Sequence, residues 1–174
     1  KENDVSCGTT KANSAIVHAG YDAKEGSLMA KYNVLGNAMY EDLCKEVDAP
    51  FRKVGSYVLA FSEKEKEHLE MLYKRGLNNG VPEMEIIDAT EIQKREPHVS
   101  KEAVAALYAG TAGITGPWEL TIKLVENAME NGVELKLNSE VINIKKENNI
   151  FKIELKSGEV IETKALINAA GVYA

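Results

Sequence analysis

Near its N-terminus the chain contains the run Ser6-Cys7-Gly8-Thr9-Thr10-Lys11-Ala12-Asn13-Ser14-Ala15-Ile16-Val17-His18-Ala19-Gly20-Tyr21. This stretch has many small residues and hydroxyl groups, one lysine and few large apolar side chains. Hydroxyl and ammonium donors beside a flexible glycine favour the close approach of a polar cofactor that carries phosphates. An ordinary N-terminal loop has a similar composition, because clusters of glycine, serine and threonine usually mark loops. Composition alone leaves both interpretations open.

The part of this run from Gly8 to Tyr21 resembles the second flavin-contact segment of the FAD-dependent oxidoreductases of the D-amino acid oxidase superfamily. Within that superfamily it is most similar to the FAD-dependent glycerol-3-phosphate dehydrogenases and the 2-hydroxyglutarate dehydrogenases. Three further segments continue the similarity in the family's order: Gly55-Ser56-Tyr57-Val58-Leu59-Ala60, Gly113-Ile114-Thr115-Gly116-Pro117-Trp118-Glu119-Leu120 and Ala165-Leu166-Ile167-Asn168-Ala169-Ala170-Gly171. The resemblance therefore extends over essentially the whole chain.

The resemblance implies an α/β (α+β) fold. Part of a FAD-binding layer, with a three-stranded antiparallel meander, would accompany an antiparallel substrate-domain sheet with helices. Residues 1–48 and 116–174 would belong to the FAD-binding domain, and residues 49–115 to the substrate-binding domain. The implied activity is oxidation of a small anionic secondary alcohol by FAD, most simply glycerol 3-phosphate to dihydroxyacetone phosphate. L-2-hydroxyglutarate is the second substrate, and the electron acceptor stays open.

A Gly-rich strand–turn–helix fingerprint and a ribose-binding acid precede this segment in the family, and neither is found in the sequence. The chain therefore resembles an internal fragment of an enzyme, and we expect it to be inactive alone and to bind FAD weakly or not at all. A cofactor-free binding or interaction domain is an alternative of a different class. An NAD-linked enzyme of similar architecture is a third.

The site residues that the resemblance implies lie towards both ends of the chain. Contacts to the flavin's pyrophosphate and ring system would come from Gly8, Thr9, Thr10, Lys11 and Ser14. Contacts to the adenine, diphosphate and ribose would come from the Val141 backbone and from Ala169, Ala170 and Gly171.

Alcohol oxidation releases the hydroxyl proton, so a base is needed within hydrogen-bond reach. His18 is the candidate catalytic residue, because histidine side chains ordinarily exchange protons near neutral pH and His18 lies beside the cofactor loop. A structural histidine that holds the loop is the alternative. Tyr57, on a substrate-domain strand, is the candidate for substrate contact, with core packing as its alternative. His68 and His98 are expected at the surface.

Apolar periodicity predicts a helix that begins after Ser27 and continues to Val47. We expect its apolar face to pack in the core; the members of that face are Leu28, Tyr32, Leu35, Met39, Leu43 and Val47. Residues 52–61 predict one strand, in which Gly55 marks a bulge or a close approach of the backbone.

Ser62 and Glu65 form a capping-box pattern at the start of a charged helix that ends near Asn78. A short strand at residues 84–88 precedes a helical turn for which Thr90 is the expected cap. Another strand at residues 104–108 leads into a glycine-rich turn, and a helix starts at Pro117.

Towards the C-terminus, residues 133–137 alternate between apolar and polar side chains, as a strand does. Three further strands at residues 141–145, 151–155 and 160–163 predict an antiparallel meander with hairpin turns. Residues 164–168 predict a fully buried strand.

The 174 residues suffice for one sizeable domain or two small ones, and the net charge of −6 argues against nucleic acid as a partner. A small-molecule substrate is the expected partner. Cys7 and Cys44 lack metal-binding or redox spacing, which favours a reduced, cytoplasmic setting and no metal. Because no apolar run is long enough to span a bilayer, no transmembrane segment is expected.

Overall fold

The computed structural model describes residues 4–171, which contain four α-helices and nine strands. The helices are α1 (Leu28–Glu46), α2 (Glu63–Asn79), α3 (Ala89–Arg95) and α4 (Pro117–Glu130). The strands are β1 (Ile16–Val17), β2 (Phe51–Lys53), β3 (Ser56–Ala60), β4 (Met84–Asp88), β5 (Ala105–Ala109), β6 (Gly113–Thr115), β7 (Val141–Glu147), β8 (Ile150–Leu155) and β9 (Val160–Thr163). This mixture of helices and antiparallel strands confirms the predicted α/β (α+β) fold.

The strands form three sheets of three strands each, with the orders β1-β6-β2, β3-β5-β4 and β7-β8-β9. Every neighbouring pair is antiparallel. The last sheet is the predicted meander, which is therefore confirmed. The first sheet was not expected, because residues 113–115 were predicted to be part of a turn and instead form its central strand.

The strand predicted over residues 52–61 is two strands that belong to different sheets. Gly55 lies between them with a φ of +73°, and its N–H donates to the carbonyl of Ala112 at 2.8 Å. The ring of Tyr108 occupies the space that a Cβ on Gly55 would need. The predicted close approach at Gly55 is confirmed, and a left-handed backbone there permits the change of sheet.

The second sheet is covered by helices on both faces. Side chains alternate along β5, so Ala105 and Leu107 face α2, where they pack with Leu69 and Leu72. Ala106, between them, packs on the opposite face with the buried Ile92 of α3. This alternation gives the second sheet a core on each side.

Local capping rules describe the starts of α1 and α2. The hydroxyl of Ser27 accepts a hydrogen bond from the N–H of Ala30 at 3.1 Å. Ser62 accepts from the N–H of Glu65 at 3.3 Å, and the Glu65 carboxylate accepts from the N–H of Phe61 at 2.6 Å. Both caps stand where the sequence predicts them.

The cap of α3 differs from the prediction. Asp88 is the N-cap residue, and its Oδ1 accepts from the N–H of Glu91 at 2.9 Å, whereas Thr90 lies inside the helix. Both residues have good capping side chains, and Asp88 has the extended backbone that an N-cap requires. The end of β4 supplies that backbone, so the strand decides which residue caps.

The apolar face predicted to pack along α1 is mostly exposed. Its exposed members are Leu28, Tyr32, Leu35 and Met39, whereas the buried residues of the helix are Ala30 and Cys44. Periodicity identified the helix correctly, but the side chains of α1 that pack against the core clusters include Val34, Tyr40 and Cys44. The core prediction is therefore wrong for these four exposed residues within residues 4–171, whereas Val47 is buried as predicted.

Two predicted C-terminal strands are absent from the described part of the chain. Residues 133–137 and 164–168 belong to none of the three sheets, and Ile167 is 89% exposed. A strand needs neighbouring backbone to complete its hydrogen bonds, and neither segment has a strand beside it here. The buried strand at residues 164–168 is therefore a wrong prediction for this structure.

Candidate functional site: the loops around His18

The predicted cofactor loop begins with a single tight turn. Thr9–Lys11 forms a short 3-10 helix in which the N–H of Lys11 donates to the carbonyl of Gly8 at 3.3 Å. The N–H of Ala12 donates to the carbonyl of Thr9 at 2.9 Å, and the turn lies beside α4. Helix α4 thereby supports the loop from one side.

Asn13 shapes the second half of this loop, and sequence reasoning gave it no role. Its Nδ2 donates to the carbonyl of Thr10 at 2.6 Å, and its Oδ1 accepts from the N–H of Ala15 at 2.8 Å. An asparagine between a glycine-containing turn and a strand is a recognised signal for such local bonds. The side chain of Asn13 therefore joins the turn to the start of β1.

The donors predicted to contact the cofactor are accessible. Thr9, Thr10, Lys11 and Ser14 are all exposed, and Lys11 makes no ion pair within residues 4–171. Ser6, at a φ of +59°, has a buried hydroxyl without a hydrogen-bond partner. Hydroxyl and ammonium donors of this kind suit an anionic phosphate group, so the loop fits a cofactor with a pyrophosphate.

His18 follows directly after β1, the edge strand of the first sheet. Val17 pairs with Gly113 of β6 and is buried, whereas His18 is exposed. Beyond Val17, backbone carbonyls of this segment accept hydrogen bonds from side chains rather than from a neighbouring strand. The His18 imidazole is thus accessible, and the backbone leaves the sheet at this residue.

Side chains from two helices hold residues 18–23. Asn37 of α1 donates through Nδ2 to the carbonyls of His18 at 3.1 Å and Thr111 at 2.9 Å. Asn79 of α2 donates through Nδ2 to the carbonyls of Gly20 at 3.0 Å and Ala23 at 2.8 Å. Sequence reasoning missed both asparagines, although asparagine is a poor helix former and its presence within a helix is a signal.

Tyr57 belongs to a cluster on the α3 side of the second sheet. Its ring lies 4.9 Å from that of Tyr108, and the Arg95 guanidinium lies 5.1 Å from the Tyr108 ring. Partial burial, followed by the nearby Tyr108, raises the pKa of the Tyr57 phenol above its ordinary value. Arg95 also binds the carboxylates of Glu85 at 2.6 Å and Glu91 at 2.7 Å. Tyr57 is packed among these groups, and its contact with substrate stays a prediction.

The C-terminal members of the predicted cofactor site lie on exposed backbone. Val141 opens β7 opposite Leu155 and is exposed. Ala169, Ala170 and Gly171 are exposed, and the N–H of Ala170 bonds locally to Oδ1 of Asn168 at 3.1 Å. No hydrogen bond in the described chain joins residues 169–171 to residues 8–14, so their shared role stays a prediction.

Two cavities, of about 350 and 330 Å³, lie elsewhere on the molecule and are lined by none of the predicted site residues. Among residues 4–171, no group of three histidine, cysteine, aspartate or glutamate side chains is placed to hold a metal ion. In the same part of the chain, no helix combines the length and apolar composition that crossing a bilayer needs.

Comparison with known sequences relates this arrangement to flavoenzymes. The chain is 49% identical, over its full 174 residues, to a glycerol 3-phosphate dehydrogenase from Caloramator mitchellensis, of which it covers 36%. It is 32% identical to a glycerol 3-phosphate oxidase from Mycoplasma genitalium, with 97% of the chain and 45% of that protein covered. It is 29% identical to an L-2-hydroxyglutarate dehydrogenase from Escherichia coli, with 100% and 40% covered.

Solved structures show the same fold. An FAD-bound L-alpha-glycerophosphate oxidase from Mycoplasma pneumoniae superposes with a TM-score of 0.75 at 30% identity, over 85% of this chain and 40% of that one. A glycine oxidase from Geobacillus kaustophilus superposes with a TM-score of 0.82 at 20% identity, over 97% and 46%. The chain therefore spans between one third and one half of the length of the proteins that it matches.

The family assignment is broader than any one of these relatives. The sequence pattern that defines the FAD dependent oxidoreductase family, abbreviated DAO, matches residues 1–174. That match includes the loop of hydroxyl and ammonium donors, the strand that ends at His18 and the meander. The chain belongs to the FAD dependent oxidoreductase (DAO) family.

Proposed function

We propose that the protein of which this chain forms part oxidises glycerol 3-phosphate to dihydroxyacetone phosphate, with FAD as its cofactor. The observation that carries this proposal is the 49% identity, over the whole chain, to a glycerol 3-phosphate dehydrogenase. The exposed donors of residues 8–14 and the exposed His18 support it. When bound, FAD supplies the hydride acceptor for alcohol oxidation.

The loop of residues 8–14 has the task of holding the anionic part of the cofactor. Lys11 contributes a positive charge, and the exposed hydroxyls of Thr9, Thr10 and Ser14 contribute donors. Donors on a tight turn are already oriented before the ligand arrives, so little further ordering is needed when it binds. Support of the turn by α4 keeps those donors in place.

His18 has the task of accepting the proton from the substrate's C2 hydroxyl. The hydroxyl O–H bond breaks, its proton passes to the imidazole, and the C2–H bonding pair leaves as hydride while a carbonyl forms. His18 suits this step because the imidazole is exposed and its backbone is held by Asn37. A base of this type contributes about 10²- to 10⁴-fold to the rate.

L-2-hydroxyglutarate is the second candidate substrate, since the chain is 29% identical over its full length to an L-2-hydroxyglutarate dehydrogenase. Both compounds are small anionic secondary alcohols, so the same base and the same cofactor would serve. The higher identity to the glycerol 3-phosphate enzyme ranks glycerol 3-phosphate first. Some relatives are named dehydrogenases and others oxidases, so the electron acceptor is to be determined by experiment.

We also propose the domain boundaries implied by the sequence, residues 1–48 with 116–174 and residues 49–115. In the first sheet β6 lies between β1 and β2, so this sheet would form the junction between the two proposed domains. A cytoplasmic location belongs to the same proposal and is supported by the free thiols of Cys7 and Cys44.

The decisive experiment is anaerobic reduction of the flavin in the whole protein by each substrate. We expect glycerol 3-phosphate to bleach the flavin absorbance rapidly and L-2-hydroxyglutarate to do so slowly. His18→Gln should slow bleaching by about 100-fold or more, whereas His68→Gln, an exposed control on α2, should not. The substrate proposal fails if L-2-hydroxyglutarate is the faster reductant, and the assignment of the base fails if His18→Gln is as fast as wild type.

A further inference from the structure

We propose that Asn37 is a positioning residue that sets the orientation of His18 for proton transfer. This inference rests on the proposed function, in which His18 is the base. Asn37 does not act on substrate itself. It acts through the backbone of His18 and through the neighbouring turn at Thr111.

The side-chain amide nitrogen of Asn37 donates hydrogen bonds to two backbone carbonyls. One amide nitrogen lies 3.1 Å from the carbonyl oxygen of His18 and 2.9 Å from that of Thr111, both within the normal range for N–H···O bonds. A primary amide is the neutral side-chain group that offers two hydrogens on one nitrogen. A carboxylate in the same place would present acceptors to two carbonyl oxygens and would be repelled.

Asn37 connects two backbone segments just beyond the point where the pairing of β1 with β6 ends. The ladder between β1 and β6 pairs Ile16 with Ile114 and Val17 with Gly113, and it ends there. His18 is the first residue beyond the ladder, on the same side as the Thr111 turn. By bridging the carbonyls of His18 and Thr111, Asn37 fixes the two backbones where the strand bonds stop.

The imidazole of His18 depends on this backbone. It is exposed and makes no side-chain hydrogen bond within residues 4–171, so no protein partner fixes the ring directly. A shift of about 1 Å in a reacting group can lower a rate by about 100-fold. The orientation of the base is therefore sensitive to the hydrogen bonds on its own carbonyl.

Helix stability does not explain the presence of Asn37. Asparagine within a helix is less favourable than alanine, and Asn37 lies in the middle of α1. Its side chain donates to the carbonyl of Thr111, which lies 74 positions away in the sequence. The two hydrogen bonds of Asn37 join the backbone at His18 to the turn at Thr111, and the structure assigns the asparagine to that junction.

Asn79 offers a matched control. It also donates through one amide nitrogen to two carbonyls, those of Gly20 and Ala23, which lie in the same segment as His18, residues 18–23. Its bonds lie beyond His18 and do not touch that residue. Loss of either asparagine should lower the free energy of unfolding to a similar extent. Only loss of Asn37 should change the orientation of His18, the proposed base.

The test compares Asn37→Asp, Asn37→Ala and Asn37→Gln with Asn79→Asp and Asn79→Ala in the whole protein. We expect the first two to lower kcat for glycerol 3-phosphate by about 10- to 100-fold with KM nearly unchanged. Asn37→Gln, which keeps both donors, should recover part of kcat. Asn79 variants should keep the wild-type kcat.

A second readout does not need the cofactor. In the protein without FAD, the rate at which diethyl pyrocarbonate modifies His18, followed by mass spectrometry, should change in the Asn37 variants and not in the Asn79 variants. The positioning role is overturned if Asn37 and Asn79 variants behave alike in both readouts while His18→Gln remains slow. Wild-type turnover in His18→Gln would instead overturn the assigned base, and the positioning role with it.

Discussion

Gly113 and Phe51 lie so close across the first sheet that a Cβ added to Gly113 would come 2.6 Å from Cε2 of Phe51. The same Cβ would come 2.7 Å from the carbonyl oxygen of Arg52. Gly113 belongs to the central strand β6, and Phe51 and Arg52 belong to its neighbour β2. This contact explains why a small residue stands at the centre of the sheet that positions His18.

Gly113→Ala should therefore lower the free energy of unfolding by about 1–3 kcal/mol, because the ring and backbone of β2 must move to admit the methyl group. Gly36→Ala is the matched control. Gly36 lies inside α1, and a Cβ there meets nothing within 4 Å, so this change should raise stability by about 0.5–1 kcal/mol. Urea unfolding measures both values, and equal stability of the two variants would contradict the close packing at β6.

Burial predicts opposite outcomes for two leucines that look alike in sequence. Leu69 of α2 is 1% exposed, whereas Leu35 of α1 is 50% exposed. We expect Leu69→Ala to cost about 2–5 kcal/mol of folding free energy, and Leu35→Ala to change it by about 0.5 kcal/mol or less. Denaturant unfolding of the 174-residue chain distinguishes them. A large loss for Leu35→Ala would show that the apolar face of α1 is covered after all.

The Arg95–Glu91 pair predicts a pH dependence of stability. The hydrogen bond from Arg95, and then that from Lys94, lower the pKa of Glu91 from its ordinary value of 4.5. A lowered pKa in the folded state means that the pair stabilises the protein above pH 4.5 and that this contribution is lost as the pH falls through the folded-state pKa.

Arg95→Gln should lower the urea midpoint near neutral pH, and its difference from wild type should shrink as Glu91 becomes protonated. A constant difference at every pH would point instead to the stacking of Arg95 on Tyr108. Lys101→Gln, at an exposed lysine that forms no ion pair within residues 4–171, controls for the loss of one positive charge. Its difference from wild type should stay small across the same pH range.

Lys11 should strengthen FAD binding by the whole protein. We expect Lys11→Ala to raise the FAD dissociation constant by about 5- to 10-fold, the loss of one exposed charge-assisted hydrogen bond. Lys24→Ala removes the same charge from an exposed loop residue before α1 and should leave the constant unchanged. Fluorescence titration with FAD measures both, and an equal effect of the two changes would indicate general charge attraction.

The isolated chain should hold FAD poorly. The Gly-rich turn, which usually binds the pyrophosphate through a helix N-terminus, has no counterpart in its sequence. Purified residues 1–174 should therefore show little absorbance in the flavin bands after FAD is added and excess is removed. A stoichiometrically yellow protein would contradict this expectation and would assign more of the binding energy to residues 8–14.

Local features of the fold were predictable because the interactions behind them act within a few residues. The Ser27 cap, the capping box at Ser62 and the meander were confirmed for this reason. The family could also be identified from short runs of small residues, because a backbone that approaches a cofactor closely tolerates few alternatives. The individual site residues, including His18, stay predictions.

The amino-acid sequence by itself determined the helices, the hairpins and the chemistry available near His18. Tertiary structure alone decided that Gly113 occupies a central strand and that the apolar face of α1 is exposed. It also decided that Asn37 joins His18 to Thr111, a partner 74 positions away. The physical reason is that sheet membership and side-chain bridges depend on backbone brought together from distant parts of the chain, which no local pattern encodes.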